Sequence, residues 1–318
     1  MIPNPMLYAI LALWVFGAIC ILRERQNTRM LMYLFIFSLV VSLIYFVLGS
    51  PDTAMAEAAI SAFTTIFFIV CFEKYEALKV DGPEPKQKAA QKGRVWRVVA
   101  PLLFVAVIGA LIFYFSPAGD AIDHLKSQYL VQFTREVGGE NAVTAIYLGY
   151  RVYDTLFEAL LLVVTVLAVA HMSYSTSLQS EKQKRYLKPS VVEITVIQAV
   201  AVVMLLFGVY LIANGHMTAG GGFQGGLLIA AFFICRFLIH NIYDLPIHKL
   251  FRLEEFIFAS TVVIAVFVIF IGIADHLPAE HLSVFQGAYM VIMNALIGLK
   301  VACGFIILFY RYVTIERR

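Results

Sequence analysis

Three ionisable side chains of this 318-residue chain stand out, because they lie singly in or beside long apolar runs, where charges are rare. Asp52 opens the third run, Glu57 follows one turn later, and Lys300 lies in the last run. A charge inside a membrane helix costs at least ~2.5–3.5 kcal/mol on insertion scales, so such residues face protein or water. We expect Glu57 and Lys300 to handle ions, Lys300 because desolvation favours neutral lysine. A structural hydrogen bond is the alternative for Glu57, and a helix cap for Asp52.

Three charges share one face of the fifth apolar run. Arg151, Asp154 and Glu158 are spaced by three and four residues, which is the spacing of one helical stripe. Arg151 can neutralise Asp154 across one turn, and Glu158 lies a further turn inward. Burial disfavours a charged carboxylate, so we expect Glu158 to bind and release a proton near neutral pH. The alternative is an ion pair that only holds helices together.

The segment between the sixth and seventh runs is rich in glycine. Its G-x-G-x-x-G pattern, which begins at Gly220, matches a dinucleotide fingerprint, but no strand precedes it, which argues against nucleotide binding. Glycine allows close backbone approach, and irregular backbone at a membrane edge is tolerated where it lines a cavity or is buried in protein. We expect His216, Gln224 and Asn294 to lie at the mouth of a pathway. A tight turn packed on its neighbours is the alternative.

The composition indicates a membrane protein. The chain is 61% hydrophobic and only 14% charged, whereas soluble chains are about a quarter charged. Its apolar runs reach the roughly 20 residues that a membrane-spanning helix needs. We predict an all-α integral membrane protein with about nine transmembrane helices, at residues 6–22, 30–48, 53–72, 98–115, 143–170, 191–212, 225–241, 256–274 and 287–310.

The positions of the basic residues predict the topology. If the N-terminus lies outside, the cytoplasmic segments hold 19 of the 24 Lys and Arg residues, and the outside loops hold only Lys126 and Arg135. Cytoplasmic loops retain Lys and Arg, so this split favours an outside N-terminus and a cytoplasmic C-terminus. The first run is therefore predicted to be a membrane helix and not a cleaved signal peptide.

Two basic linkers divide the chain into three blocks. The linkers are residues 81–97 and 173–190. They separate a three-helix block at 1–80, a two-helix block at 98–172 and a four-helix block at 191–318. The four cysteines lie in apolar runs without C-x-x-C spacing, so we expect no cofactor and no resident metal in this chain.

Two segments of the last block carry a resemblance to a known family. Asn214 to Gly226 resembles the signature of the B subunit of Mrp-type sodium/proton antiporters, with Ala219 where the family usually has proline. The segment from Asn294 through Lys300 to Gly304 is similar to the last helix of that subunit.

The first two blocks also resemble parts of these complexes. Residues 151–158 are similar to the C-terminal part of the large A subunit, with Val152 and Phe157 where that motif carries glycines. Residues 49–58 look like the helix just upstream in the same region. In membrane-bound hydrogenases these pieces occur as separate D, E and F subunits, so the resemblance implies three subunits fused in one chain.

The resemblance implies a membrane subunit of an Mrp-type antiporter or hydrogenase-type complex in the cell inner (cytoplasmic) membrane. Such a chain takes part in Na⁺/H⁺ translocation and has no redox chemistry of its own. The implied partners are other antiporter subunits, including a large antiporter-like one, and hydrogenase or other oxidoreductase subunits, but no nucleic acid. The implied path residues are Glu57, Asp154, Glu158 and Lys300, with Asp52 and Arg151.

Two alternative functions stay open. One is a structural membrane scaffold that docks other subunits. The other is a self-sufficient secondary transporter, which typically contains related halves, and no internal repeat is evident in this sequence.

Overall fold

The computed structural model of the protein describes most of the membrane segments. The described residues are 5–24, 26–79, 127, 129–134, 136–175, 190–240, 246–274 and 279–313. Residues 1–77 and 133–318 form one compact unit, and residues 78–132 form a second. The predicted helix at 98–115, the linker at 81–97 and most of the linker at 173–190 lie outside the described residues.

The described residues form helices and turns. The helices are α1 (Pro5–Arg23), α2 (Asn27–Val47), α3 (Pro51–Lys79), α4 (Ala142–Ala145), α5 (Val152–Ser175), α6 (Val191–Asn214), α7 (Gly222–His240), α8 (Ile247–Ala274) and α9 (Ala279–Val313). A π-helical segment, Ile146–Tyr150, joins α4 to α5.

Six of these helices are long and apolar enough to cross a bilayer: α2, α3, α5, α6, α8 and α9. Shorter apolar stretches, Tyr8–Arg23 and Gly222–Phe237, account for α1 and α7. Eight of the nine predicted helices therefore lie within the described residues, and the prediction of an all-α membrane protein is confirmed.

The predicted start of α8 was wrong. Residue 256 was predicted, but the helix begins at Ile247, just after Pro246, whose carbonyl accepts hydrogen bonds from the amides of Lys249 and Leu250. The basic residues of this stretch are typical of a cytoplasmic loop, but in the structure they lie on the exposed face of a helix. The opposite face, which includes Glu254, is buried.

A glycine and a proline separate α2 from α3. The amide of Ser50 donates to the carbonyl of Tyr45, and Gly49 has a φ of 79°, as expected for a Schellman motif that ends a helix. Pro51 then occupies the first position of α3, where its missing N–H has no consequence. The short turn places Asp52 at one end of α3.

Helix α9 is the centre of the described bundle. Its membrane span is 61% buried, against at most 22% for the other five spans. Its neighbours are α5, α6, α7 and α8. The first block contacts it through aromatic side chains, with the Phe63 and Phe305 ring centroids 4.7 Å apart. Residues from all three predicted blocks thus contribute to one core.

Glycines bring α7 close to α6 and α9. A Cβ atom on Gly222 would lie 2.5 Å from the carbonyl oxygen of Asn294, and one on Gly225 would lie 2.5 Å from the carbonyl oxygen of Gly208. Small residues permit such close backbone contact between membrane helices, where packing replaces the hydrophobic effect as the driving force.

Candidate functional site

The glycine-rich turn between α6 and α7, residues 214–222, is the meeting point of the three predicted blocks. We refer to it as the glycine turn. The carbonyl of Asn214 accepts hydrogen bonds from the amides of Met217 and Thr218, which closes the end of α6. Several backbone groups of the turn remain available for side chains from other parts of the chain.

Asp52 is bound to the glycine turn. Its Oδ1 atom accepts hydrogen bonds from the amide of Gly220 at 3.0 Å and from Nδ2 of Asn141 at 2.9 Å. These residues are 168 and 89 positions away in the chain. Asp52 lies in the first turn of α3, and its carboxylate connects α3 to the second and third blocks.

Asn141 uses both ends of its side-chain amide. Its oxygen accepts from the amides of Val143 and Thr144 and so caps α4. Its nitrogen lies within hydrogen-bond distance of the Asp52 carboxylate, of the Thr218 carbonyl at 2.9 Å and of the Gly215 carbonyl at 3.2 Å. Asn141 is 7% exposed, so its amide has little access to competing solvent.

Asn294 holds the other side of the glycine turn. Its Oδ1 atom accepts a hydrogen bond from the Tyr147 hydroxyl at 2.8 Å and one from the amide of Gly222 at 3.1 Å. Its Nδ2 atom is buried and has no partner among the described residues, and the same is true of Nδ1 of His216. The His216 carbonyl accepts from the amide of Asn141.

The third residue predicted at this mouth, Gln224, lies in the first turn of α7. Its Oε1 atom is 3.0 Å from the position that a Cβ atom on Gly221 would occupy. The three residues predicted at a pathway mouth, His216, Gln224 and Asn294, therefore lie in or against one turn.

Two single variants at this site, Asn141→Asp and Asp52→Asn, are expected to lower the stability of the protein by different amounts. Asn141→Asp removes the donor and brings a second carboxylate against Asp52, so we expect a loss of about 3 kcal/mol or more. Asp52→Asn keeps an acceptor for both donors, so we expect a loss of about 1 kcal/mol. Heating each purified variant and measuring the fraction that stays monodisperse by size-exclusion chromatography compares the two. Equal stability of the two variants would contradict the hydrogen-bond geometry described above.

The π-helical segment gives way to α5 at a wide turn. Arg151 has φ −123° and ψ 34°, outside the helical range. The carbonyl of Tyr147 accepts a hydrogen bond from the Thr155 hydroxyl, and the carbonyl of Leu148 accepts one from the Tyr289 hydroxyl at 2.9 Å. Side chains thus satisfy backbone groups in the π-helical segment. The predicted single helix at 143–170 is interrupted here, and the π-helical segment before the interruption contains Tyr147, which donates to Asn294.

Lys300 pairs with Glu254, which was not among the predicted site residues. Its Nζ atom lies 3.3 Å from Oε1 of Glu254, and the two side chains are each 1% exposed. The Phe258 ring centroid lies 5.5 Å from the same nitrogen. Glu254 was missed because it lies in the segment predicted to be a cytoplasmic loop. The signal available in the sequence was the helical spacing of Ile247, Leu250, Glu254 and Ile257.

The charged stripe of α5 faces away from this core. Arg151 and Asp154 form an ion pair, with side chains 64% and 57% exposed. Glu158 is exposed on the same side and makes no hydrogen bond to a described residue. The buried residues Val152, Thr155 and Ala159 lie on the opposite side. The predicted common face is confirmed, and it is directed outward from the described bundle.

The stripe and the buried pair lie at a similar depth. Helices α5 and α9 run in the same direction, since Tyr147 contacts Asn294 before Leu162 contacts Gly304. Glu158 precedes Leu162 by four residues, and Lys300 precedes Gly304 by four. Glu158 and Lys300 thus each lie about one helical turn from the contact between Leu162 and Gly304, although the two side chains point in different directions.

Glu57 lies apart from both groups. It accepts a hydrogen bond from the hydroxyl of Ser38, which connects α3 to α2, and it is partly buried. The predicted site residues therefore fall into three places. Asp52 and Asn294 meet at the glycine turn, Lys300 is buried with Glu254, and Glu57 and the α5 stripe have separate surroundings.

The fold and these polar contacts define a multi-pass, all-α membrane protein whose helical blocks meet at one glycine-rich turn. Residues 192–307 match the family model described as a domain related to the MnhB subunit of Na⁺/H⁺ antiporter. Residues 12–77 match the MbhD family model, which represents the D subunit of MBH. The predicted resemblance of the last block to an antiporter B subunit and of the first block to a hydrogenase-type D subunit is confirmed.

A relative in Staphylococcus aureus (strain MRSA252), named as antiporter subunit mnhA2, is 30% identical over 145 residues. The match covers 46% of this chain but only 17% of the relative. The predicted resemblance to an A subunit is confirmed by this match, which concerns a minor part of that protein.

Two solved structures are similar to this fold. A chain of the Mrp complex from Dietzia sp. DQ12-45-1b superposes with a TM-score of 0.75 at 17% identity, over 98% of this chain and 35% of that one. At this identity the likeness concerns the fold alone. A chain of the archaeal membrane-bound sulfane sulfur reductase superposes with a TM-score of 0.53 at 27% identity, over 68% of this chain and 97% of that one.

Proposed function

We propose that this chain is a membrane subunit of an Mrp-type or hydrogenase-type complex and takes part in Na⁺/H⁺ translocation. The observation that carries the proposal is Lys300, an ionisable side chain that is fully buried within the segment that matches the antiporter B-subunit model. Burying an ionisable residue in a membrane segment costs free energy. Such a residue is therefore taken as a functional one by default. Glu57, Asp154 and Glu158 are the acidic path residues of the proposal, which also includes Asp52 and Arg151.

The proposal includes the organisation of the chain. The blocks at 1–80, 98–172 and 191–318 correspond to three fused subunits, and the matches at 12–77 and 192–307 support the first and the third. The N-terminus lies outside and the C-terminus in the cytoplasm, in the inner (cytoplasmic) membrane. The chain has no redox chemistry and no cofactor, and Na⁺ and H⁺ are its transported ions. Its partners are antiporter subunits, including a large antiporter-like one, and oxidoreductase subunits.

The test is sodium-dependent proton exchange in vesicles that carry the whole complex. Glu57→Gln and Glu158→Gln are expected to lower the exchange rate by about tenfold or more while the complex still assembles, because each removes a proton-binding group. Glu140→Gln, at an exposed carboxylate outside the proposed path, is the matched control. If both path variants exchange at the unmodified rate, this set of path residues is wrong.

A structural scaffold is the second candidate function, and the glycine turn favours it. Asp52, Asn141 and Asn294 join all three blocks there through hydrogen bonds. Under this function, neutral substitutions at Glu57, Glu158 and Lys300 would reduce assembly but leave transport by the assembled fraction unchanged. A self-sufficient transporter would instead exchange ions as the purified chain alone.

A further inference from the structure

The buried pair of Glu254 and Lys300 lies between two polar regions of the bundle. Glu254 is seven residues from the start of α8, which corresponds to about 10 Å along the helix axis. That end of α8 carries the exposed polar residues His248, Lys249 and Arg252. In the other direction Lys300 is six residues from Asn294 on α9, or about 9 Å, and Asn294 contacts the glycine turn.

The burial of the pair makes two protonation states relevant. In one state, the Lys300 ammonium faces the Glu254 carboxylate. In the other, the proton has moved, an N–H bond has broken, an O–H bond has formed, and both groups are neutral. The net charge is zero in both states. Removing two charges from water is unfavourable, which brings the neutral state closer in free energy to the ion pair.

Few other titratable groups act on this pair. Cys303 on α9 and Glu255 on α8 are the two that interact with it electrostatically among the described residues. Glu255 is exposed and follows Glu254 directly, and Cys303 lies one turn beyond Lys300. The Phe258 ring lies 5.5 Å from the Lys300 nitrogen and offers no proton acceptor. Glu254 is therefore the group in hydrogen-bond contact with the lysine.

We propose that Glu254 is the proton partner of Lys300, so that one proton passes between the carboxylate and the amine during translocation. This inference rests on the function proposed above, and it adds a residue and a step to it. The carboxylate receives protons from the polar end of α8, and the amine holds them on the side of the glycine turn.

The main test is the neutral double variant Glu254→Gln/Lys300→Met, assembled in the whole complex. It removes both charges with little change in volume, so the bundle is expected to assemble. Sodium-dependent proton exchange is expected to fall by about a hundredfold, the effect typical of losing a positioned proton-transfer group. The control is Glu140→Gln, which changes an exposed carboxylate outside the pair and outside the polar end of α8 and is expected to keep the unmodified rate.

A double variant that assembles and exchanges at the unmodified rate would overturn the inference and make the pair purely structural. If the double variant does not assemble, Glu254→Asp decides. It keeps the charge but lengthens the distance to Lys300, and we expect a rate at least about tenfold lower. An unchanged rate for Glu254→Asp would also overturn the inference.

A second measurement does not depend on transport. Infrared difference spectra of the purified complex between acid and alkaline buffer are expected to contain a protonated-carboxyl band that shifts in Glu254→Asp. A spectrum without such a shift would show that Glu254 does not exchange protons. If the unmodified complex performs no sodium-dependent exchange at all, the proposed function fails, whereas the infrared result tests the proton partner by itself.

Discussion

Lys300→Met alone is expected to destabilise the protein by about 3–5 kcal/mol, because it leaves the Glu254 carboxylate buried without a cation. Glu254 is 1% exposed and accepts its side-chain hydrogen bond from Lys300 at 3.3 Å. The carboxylate would have to take up a proton at neutral pH or draw water into the core of α8 and α9. Either change is unfavourable, and a loss of this size is a large part of the stability of most proteins.

The neutral double variant distinguishes the effect of the unpaired Glu254 charge on stability from the effect of lost side-chain packing. Glu254→Gln/Lys300→Met is expected to regain most of the lost stability, since replacing both members of a buried pair is often neutral. The measurement is the temperature at which half of the purified protein loses monodispersity. If Lys300→Met and the double variant are equally unstable, the loss comes from packing of the lysine side chain and not from the unpaired carboxylate.

Gly222→Ala is expected to separate α7 from α9 and to destabilise the bundle by about 3 kcal/mol, at the upper end for overpacking. A Cβ atom there would lie 2.5 Å from the Asn294 carbonyl oxygen and 3.0 Å from the Gly298 amide nitrogen. Both are backbone atoms, so no side chain can rotate to make room. The Gly222 amide, which donates to Asn294 Oδ1, is kept in the variant, so the added methyl group accounts for the effect.

Gly287→Ala is the matched control for this prediction. It adds the same methyl group to α9, at a position where no atom of the described residues, apart from the adjoining helix backbone, lies within 4 Å of the new carbon. We expect it to be neutral or slightly stabilising, because alanine favours helix more than glycine does. The same heating experiment compares the two variants, and equal melting of Gly222→Ala and Gly287→Ala would contradict the close contact of α7 and α9.

Local pattern was enough to predict most helices of the described residues. Apolar runs of about 20 residues predict membrane helices directly, because an uninterrupted helix satisfies every backbone group within itself. The prediction failed at the start of α8, where His248, Lys249 and Arg252 resemble a loop. A helix whose exposed face is basic at one end has the same composition as a cytoplasmic loop, and only packing on α9 distinguishes them.

The sequence by itself determined the membrane class, the resemblance of the last block to an antiporter subunit, and the common face of Arg151, Asp154 and Glu158. These properties depend on composition, motif or helical spacing, all of which are local. Tertiary structure alone decided that this face points outward and that Lys300 pairs with Glu254, 46 residues away. It also decided that Asp52 binds Gly220, 168 residues away. Such pairs depend on which helix faces meet. Close contacts between helices, such as those at Gly222 and Gly225, decide which faces meet. The local sequence of one helix does not specify its partner.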